Sequence, residues 1–159
     1  MSPVHFAVLA VIPTIVLDQL SKQAVMILLD DFGSRRVVVL PDFFNLVEVW
    51  NTGVSFGMLG GFGLPPWVLT AISLLICAGL AWWLWRGAAR LPATGIGLVI
   101  GGAIGNVVDR LRWGGVFDFA DFHVGAWHWP AFNVADAAIV IGVGLLLLDS
   151  VFLERRRSA

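Results

Sequence analysis

Four long apolar segments dominate the sequence, at about residues 4–28, 67–85, 92–110 and 134–153. A helix needs roughly 20 mostly apolar residues to cross the hydrocarbon core of a bilayer, and each segment comes close to that length. Only 13% of the residues are charged, and the mean hydropathy of +0.87 is far above that of a soluble domain. We therefore predict an α-helical integral membrane protein with four transmembrane helices, forming one membrane-embedded domain over residues 1–159.

The charge balance excludes one class of partner. Ten Lys and Arg residues against eleven Asp and Glu give a formal net charge of −1, which leaves no basic surface for nucleic acid. The single cysteine, Cys77, lies in an apolar run where a small thiol usually packs without reacting. The first apolar segment is expected to remain as a span, because no basic residue precedes Lys22 and no small-residue cleavage site follows the apolar run.

The arginines between the segments predict the orientation. Arg86 and Arg90 flank the connection between the second and third segments, and three arginines, 155–157, lie near the C-terminus. Short cytoplasmic loops carry an excess of Lys and Arg, so we expect both termini on the cytoplasmic side. Two longer segments, about 29–66 and 111–133, would then lie outside. The tryptophans agree with this orientation, because tryptophan prefers the membrane interfaces. Those expected near the outer interface are Trp67, Trp113, Trp127 and Trp129, and those near the inner interface are Trp82, Trp83 and Trp85.

The first outer segment is typical of strands rather than helix. Residues 35–60 are rich in β-branched and aromatic side chains and are interrupted by turn residues, so we predict a small extracytoplasmic β-sheet between helices 1 and 2. The second outer segment, about 111–133, is predicted as a loop. The apolar side chains of the sheet would either face lipid headgroups or simply pack on the helix ends: Phe43, Phe44, Trp50 and Phe56.

Glycines recur at every fourth position of the third segment. This spacing of Gly97, Gly101 and Gly105 lets the backbone of another helix approach closely, and it indicates packing rather than chemistry.

Polar and ionisable residues inside membrane spans are costly, and each needs a reason. Those of the first, third and fourth spans fall in one layer, the outer third of the membrane, when counted at about 1.5 Å per residue. They are Asp18, Lys22, Asn106, Asp109, Arg110 and Asp136. Side chains three or four positions apart share a helix face, so a convergent polar cluster is the simplest interpretation. Ion pairs that only hold the bundle together remain the alternative. Asp149 is interpreted as an interfacial partner of Arg155 and Arg156.

Two carboxylates suggest a chemistry for this cluster. Asp118, in the second outer segment, and Asp136, at the mouth of the fourth span, can approach each other because the chain between them can fold back. Two carboxyl groups in a poorly hydrated site cannot both ionise cheaply, so one keeps its proton while the other accepts a proton from water. This is the arrangement that an aspartyl hydrolase needs.

Three alternatives stay open on residue types alone. Asp118, Asp121, His123 and His128 offer donors that suit zinc or manganese, although they lack paired helical histidines. Residues 53–57 fit the G-x-S-x-G pattern around Ser55, but that pattern works only in a large α/β sheet. A small transporter could also use intramembrane charges, although it would place them near the bilayer midplane.

Five stretches together resemble the bacterial lipoprotein signal peptidase family, signal peptidase II. They occur in the right order over nearly the whole chain: LDQLSK at 17–22, NTGVSFG at 51–57, GGAIGNVVDR at 101–110, GVFDF at 115–119 and FNVAD at 132–136.

The resemblance implies an intramembrane aspartyl endopeptidase in the bacterial cytoplasmic (inner) membrane. Such an enzyme removes the signal peptide from diacylglyceryl-modified prolipoproteins by cleaving before the lipidated cysteine, and it uses no metal or other cofactor. The implied partners are the lipidated prolipoprotein and membrane lipid, with no nucleic acid. We expect a monomer, with the active site toward the extracytoplasmic side.

The resemblance also implies roles for residues of this chain. Asp118 and Asp136 become the catalytic pair, while Asp121 matches neither position and His123 and His128 receive no role. The surrounding polar positions would bind substrate or brace the aspartates: Asp18, Lys22, Asn51, Gly53, Asn106, Asp109, Arg110 and Asn133.

Overall fold

The computed structural model describes residues 1–53 and 65–153. Within these ranges the chain forms four α-helices and four strands, and α4 ends in a single π-helical turn, Asp149–Leu153. In chain order the elements are α1 (Pro3–Asp31), β1 (Arg36–Leu40), β2 (Phe44–Asn51), α2 (Pro66–Trp85), α3 (Arg90–Trp113), β3 (Val116–Val124), β4 (Trp127–His128) and α4 (Val134–Leu148).

The predicted spans correspond to the helices. In the described part of the chain, four helices are long and apolar enough to cross a membrane: Pro3–Asp31, Trp67–Trp85, Arg90–Trp113 and Val134–Val151. The four-span prediction is thus confirmed, and α1 and α3 extend a few residues beyond the predicted apolar runs. Gly114 ends α3 in the left-handed conformation, at φ 75°, where its N–H donates to the carbonyl of Arg110.

Helix α3 lies between α1 and α4, and glycines permit the close approach on both sides. A Cβ at Gly101 would lie 2.8 Å from Cβ of Thr14 on α1, and a Cβ at Gly95 would lie 2.9 Å from the carbonyl oxygen of Gly142 on α4. The every-fourth-residue glycines therefore face α1, as predicted for a packing stripe. This close packing brings the polar side chains of the three helices together.

The sheet is larger than the sequence predicted. It is antiparallel with the strand order β1-β2-β3-β4, so half of its strands come from residues 111–133, which we predicted to be a loop. β3 is buried over nearly its whole length, so it lacks the regular alternation of apolar and polar residues that marks a half-exposed strand. Its pairing with β2 places Asn51 opposite Val116 and Phe44 opposite Phe122.

The sheet packs on the C-terminal end of α1. Val25 and Leu29 of α1 form one buried cluster with Phe117, Phe119 and Ala120 of β3. Of the aromatic residues predicted for the sheet surface, Phe44 and Trp50 contact other rings and Phe43 remains half exposed, whereas Phe56 lies outside the described residues. The sheet thus packs on helix ends and also presents apolar side chains outward.

Candidate active site

The start of α4 is fixed by a reciprocal pair of hydrogen bonds. Asn133 is the N-cap, and its Oδ1 accepts from the backbone N–H of Asp136 at 2.9 Å. Oδ2 of Asp136 accepts in return from the backbone N–H of Asn133 at 3.2 Å. This is a capping box, and it holds the Asp136 carboxylate at the positive end of the helix dipole.

Asp118 lies in β3, and its side chain lies beside the start of α4. Its side chain is buried, and its two oxygens accept from two amides: Oδ1 from Asn133 Nδ2 at 2.7 Å and Oδ2 from Asn51 Nδ2 at 3.1 Å. Gly53 N–H donates to Asn51 Oδ1 at 3.2 Å, with Gly53 at φ 135°, where a side chain would be strained. Gly53 therefore helps to orient Asn51 toward Asp118.

The side-chain amide of Asn106, on α3, also helps to connect the two aspartates. Asn106 Nδ2 donates to Asp136 Oδ1 at 2.8 Å, and Asn106 Oδ1 lies 3.3 Å from Asn133 Nδ2. Asp118 and Asp136 are thus joined through the side chains of Asn133 and Asn106. The structure brings together the carboxylate pair that the sequence singled out.

The electrostatics of Asp118 differ from those of an ordinary aspartate. Burial, together with the negative charge of Asp136, raises the pKa of Asp118 to about 6. Hydrogen bonds from Asn51 and Asn133 to its carboxylate, and the more distant charge of Lys22, oppose this rise without cancelling it. The pair is therefore set up to hold one proton in a pH range where an ordinary aspartate is ionised.

A fully buried ion cluster lies directly behind the pair. Nζ of Lys22 contacts Asp18 Oδ2 at 2.8 Å, Asp109 Oδ2 at 2.7 Å and Asn106 Oδ1 at 3.2 Å. Asp18 Oδ1 accepts from the backbone N–H of Ala135 at 2.9 Å, and Asp109 Oδ2 accepts from that of Phe117 at 3.2 Å. The cluster thus connects α1 and α3 to the residues that immediately precede Asp136 and Asp118.

Gln19 completes this cluster, and sequence reasoning gave it no role. Its Nε2 donates to Asp109 Oδ1 at 2.8 Å and to Asp18 Oδ2 at 3.1 Å. The available signal was its place within the LDQLSK stretch, between Asp18 and Lys22.

Arg110 lies apart from the ion cluster. With Asn106 it lines the polar end of a cavity of about 320 Å³ between α2, α3 and α4, whose other walls are mostly apolar. Its Nε is buried and has no hydrogen-bond partner among residues 1–53 and 65–153. Its guanidinium lies within electrostatic range of the carboxylates of Asp136, Asp109 and Asp118.

The proposed metal donors do not assemble. Asp121 accepts from Asn45 at 2.7 Å and pairs with His128 Nδ1 at 2.7 Å, whereas Asp118 contacts Asn51 and Asn133 instead. Throughout the described residues, no three His, Cys, Asp or Glu side chains gather into a group that could hold a metal ion. The metal alternative therefore finds no support in the geometry.

Two other expectations fall on residues that the structure does not describe. Ser55, the centre of the G-x-S-x-G pattern, lies outside the described residues. So do Arg155 and Arg156, the expected partners of Asp149.

The fold and the site define a multi-pass membrane protein with a hydrogen-bonded aspartate pair at one end of its helical bundle. Residues 10–152 match the model of the family described as signal peptidase (SPase) II. The chain belongs to this family and is a peptidase, as the resemblance implied.

Relatives and solved structures agree with this assignment. A lipoprotein signal peptidase of Methylobacterium sp. (strain 4-46) is 44% identical over 100% of this chain and 96% of its own length. One of Paraburkholderia phymatum is 46% identical over 91% and 86%. Two solved structures of bacterial membrane enzymes share the fold. The first has a TM-score of 0.72 and 27% sequence identity, and the match covers 91% of this chain and 89% of that one. The second has a TM-score of 0.75 and 26% sequence identity, and the match covers 92% of each chain.

Proposed function

We propose that this chain removes the signal peptide from diacylglyceryl-modified prolipoproteins by an aspartyl mechanism, with Asp118 and Asp136 as the catalytic pair. The observation that carries the proposal is the set of hydrogen bonds by which Asn133 and Asn106 connect the two aspartates. The relatives named above are lipoprotein signal peptidases, which fits this substrate. A lipidated cysteine keeps its acyl chains in hydrocarbon, so the cleaved bond would lie near the membrane surface.

The two aspartates would divide the chemistry between them. Asp118 keeps the proton because its pKa is raised to about 6, and Asp136, in the first turn of α4, is the base. Asp136 takes a proton from a water whose oxygen bonds to the scissile carbonyl carbon, while Asp118 donates its proton to the carbonyl oxygen. As the C–N bond breaks, the proton held by Asp136 moves to the leaving amine, and the oxygen returns its proton to Asp118.

The cavity between α2, α3 and α4 is suited to the signal peptide. Its walls are mostly apolar, and its polar end carries Asn106, which contacts Asp136, and Arg110. A cavity of this size would hold the last few residues of the signal peptide, beside the carboxylate pair. Asn106 and Arg110 would then bind backbone carbonyls near the cleavage site, and the buried Nε of Arg110 is available for such a bond.

The same geometry supports an extracytoplasmic active site. Arg86 and Arg90 flank the short α2–α3 connection, which lies at the opposite end of α3 from the sheet and the carboxylate pair. By the positive-inside rule this connection is cytoplasmic, as is the start of α1. Because one chain supplies both aspartates and all of their hydrogen-bond partners, a monomer is sufficient for the activity.

A cleavage assay with matched substrates tests the proposed function. The purified protein in lipid is given a diacylglyceryl-modified prolipoprotein and its unlipidated form, each with and without a chelator. We expect cleavage of the lipidated form only, and the chelator should change nothing. Equal cleavage of both forms would contradict the substrate assignment, and loss of cleavage with the chelator would favour a metal mechanism.

A further inference from the structure

An open aromatic cavity of about 380 Å³ lies beside the sheet, apart from the carboxylate pair. We call it the aromatic cup. Its main lining residues are Phe43, Phe122, His123, Trp127, Trp129 and Phe132. Trp127 and Trp129 at its rim are more than half exposed. Phe132 directly precedes the N-cap of α4, so the cup opens where a membrane span begins, at the depth where tryptophans prefer to lie.

His123 lines the cup, and one of its buried polar atoms has no partner among the described residues. His123 is only 6% exposed, and its Nε2 is buried without a hydrogen bond within the described ranges. The other ring nitrogen, Nδ1, lies 3.4 Å from the carbonyl oxygen of Gly125, which can only accept, so Nδ1 carries the hydrogen. In the neutral ring Nε2 is therefore a bare acceptor. A buried acceptor costs free energy until something donates to it.

The surroundings of this acceptor favour a cation. Ring faces attract positive charge, and five of the lining side chains are Phe or Trp. His128 stacks on His123 with ring centroids 4.7 Å apart, and Asp121 lies behind it, 2.7 Å from His128 Nδ1. Burial raises the pKa of Asp121, but hydrogen bonds from His128 and Asn45, together with the electrostatic attraction of His128 and His123, lower it overall, so this carboxylate is ionised. Among the residues that the structure describes, the cavity lining contains no Lys or Arg.

We propose that the aromatic cup binds the primary ammonium headgroup of a membrane lipid, with one N–H of the headgroup donating to His123 Nε2. The aromatic rings stabilise the positive charge, and the acyl chains remain in the bilayer beside α4. A choline headgroup keeps the charge and the phosphate but has no N–H to donate. A glycerol headgroup can donate a hydrogen bond but carries no positive charge. The site therefore prefers an ethanolamine headgroup to both.

Lipid retention tests this preference. The protein is reconstituted with equal amounts of phosphatidylethanolamine, phosphatidylcholine and phosphatidylglycerol with identical acyl chains, re-extracted in mild detergent, and its bound lipid is quantified by mass spectrometry. Because the hydrogen bond has a charged donor, we expect roughly tenfold more ethanolamine than choline lipid per protein. Equal retention of the two, or preferential retention of the glycerol lipid, would overturn the proposal.

Matched variants locate the site. His123→Phe keeps an aromatic ring but removes the acceptor, and it should abolish the preference. His5→Phe changes an exposed histidine at the other end of α1 and should leave the preference intact. A preference that survives His123→Phe would place the lipid elsewhere.

A measurement on the unmodified protein covers the case in which His123→Phe fails to fold. In protein labelled with ¹⁵N-histidine, the Nε2 resonance of His123 should shift on titration with the ethanolamine lipid and stay in place with the choline lipid. A resonance that responds to neither lipid would mean that water satisfies this nitrogen, and it would also overturn the proposal.

Discussion

Asn133 donates its side-chain amide to Asp118 Oδ1 at 2.7 Å from the N-cap position of the helix that carries Asp136. One side chain therefore sets the start of α4 and the position of a carboxylate on β3. The relative placement of the two aspartates therefore depends on this residue.

Shortening this side chain should impair catalysis more than folding. Asn133→Ser keeps an oxygen that can cap α4 but cannot reach Asp118. We expect kcat to fall by roughly a hundredfold with KM little changed, because a positioned acid–base group contributes about that much. Since the lost bond stabilised ionised Asp118, the pKa of Asp118 should also rise.

Asn45→Ser is the matched control for this prediction. Asn45 is a buried asparagine of the same sheet that donates to a different carboxylate, Asp121, also at 2.7 Å. An equal loss of kcat in both variants would mean that Asn133 acts only on stability.

The pH dependence of cleavage should reflect Asp118. The active pair holds one proton, and Asp118 releases its proton as the pH rises through its pKa of about 6. We therefore expect kcat/KM of the free enzyme to fall as the pH rises above about 6. In the Asp136→Asn variant the neighbouring charge is gone, so Asp118 should titrate at lower pH, which carboxyl infrared difference spectra can follow. A kcat/KM that is constant from pH 5 to pH 8 would contradict the proton assignment.

The buried lysine should matter for stability far more than a surface ion pair does. Lys22→Met leaves Asp18 and Asp109 buried without their cation, which we expect to cost about 3–5 kcal/mol in the free energy of unfolding in detergent. Arg35→Met breaks an exposed pair with Glu48 and should leave the free energy of unfolding almost unchanged, because solvent screens such a pair. Similar losses in the two variants would show that the cluster around Lys22 is not the buried support that its geometry indicates.

The contact of α3 with α1 should tolerate no added methyl group at Gly101. A Cβ there would lie 2.8 Å from Cβ of Thr14 and 3.0 Å from the carbonyl oxygen of Val11. We expect Gly101→Ala to destabilise the protein by about 1–3 kcal/mol. Gly79→Ala, where a Cβ meets no atom of the described residues within 4 Å, should be close to neutral in the same thermal unfolding measurement. A neutral Gly101→Ala would mean that the two helices separate easily.

The sequence predicted those features that depend on local patterns. Apolar length predicted the spans, and the four-residue spacing of Asp18 and Lys22 predicted that they share a face, as their 2.8 Å contact shows. The three-residue spacing of Asn133 and Asp136 is typical of a capping box, but we did not predict one from the sequence.

The features that the sequence missed depend on tertiary packing. β3 was predicted as a loop because a strand buried on both faces lacks the two-residue period that a half-exposed strand shows. Lys22 pairs with Asp109, and Gln19 joins them, only because α1 and α3 are rotated about their axes in a particular way. The apolar periodicity of the sequence does not specify these rotations closely enough to predict the contacts. The resemblance pointed to the right positions, but only the packing shows which atom contacts which.

The two carboxyl groups at 118 and 136 can be tested most directly by replacing each one separately. Asp118→Asn and Asp136→Asn are compared with Asp121→Asn, a change to an aspartate on the same strand that pairs with His128. Cleavage of a lipidated prolipoprotein is measured in each purified variant after its membrane insertion and thermal unfolding are shown to be normal. We predict that cleavage is lost in the first two variants and kept in the third. Cleavage near the unmodified rate in either Asp118→Asn or Asp136→Asn would contradict the account.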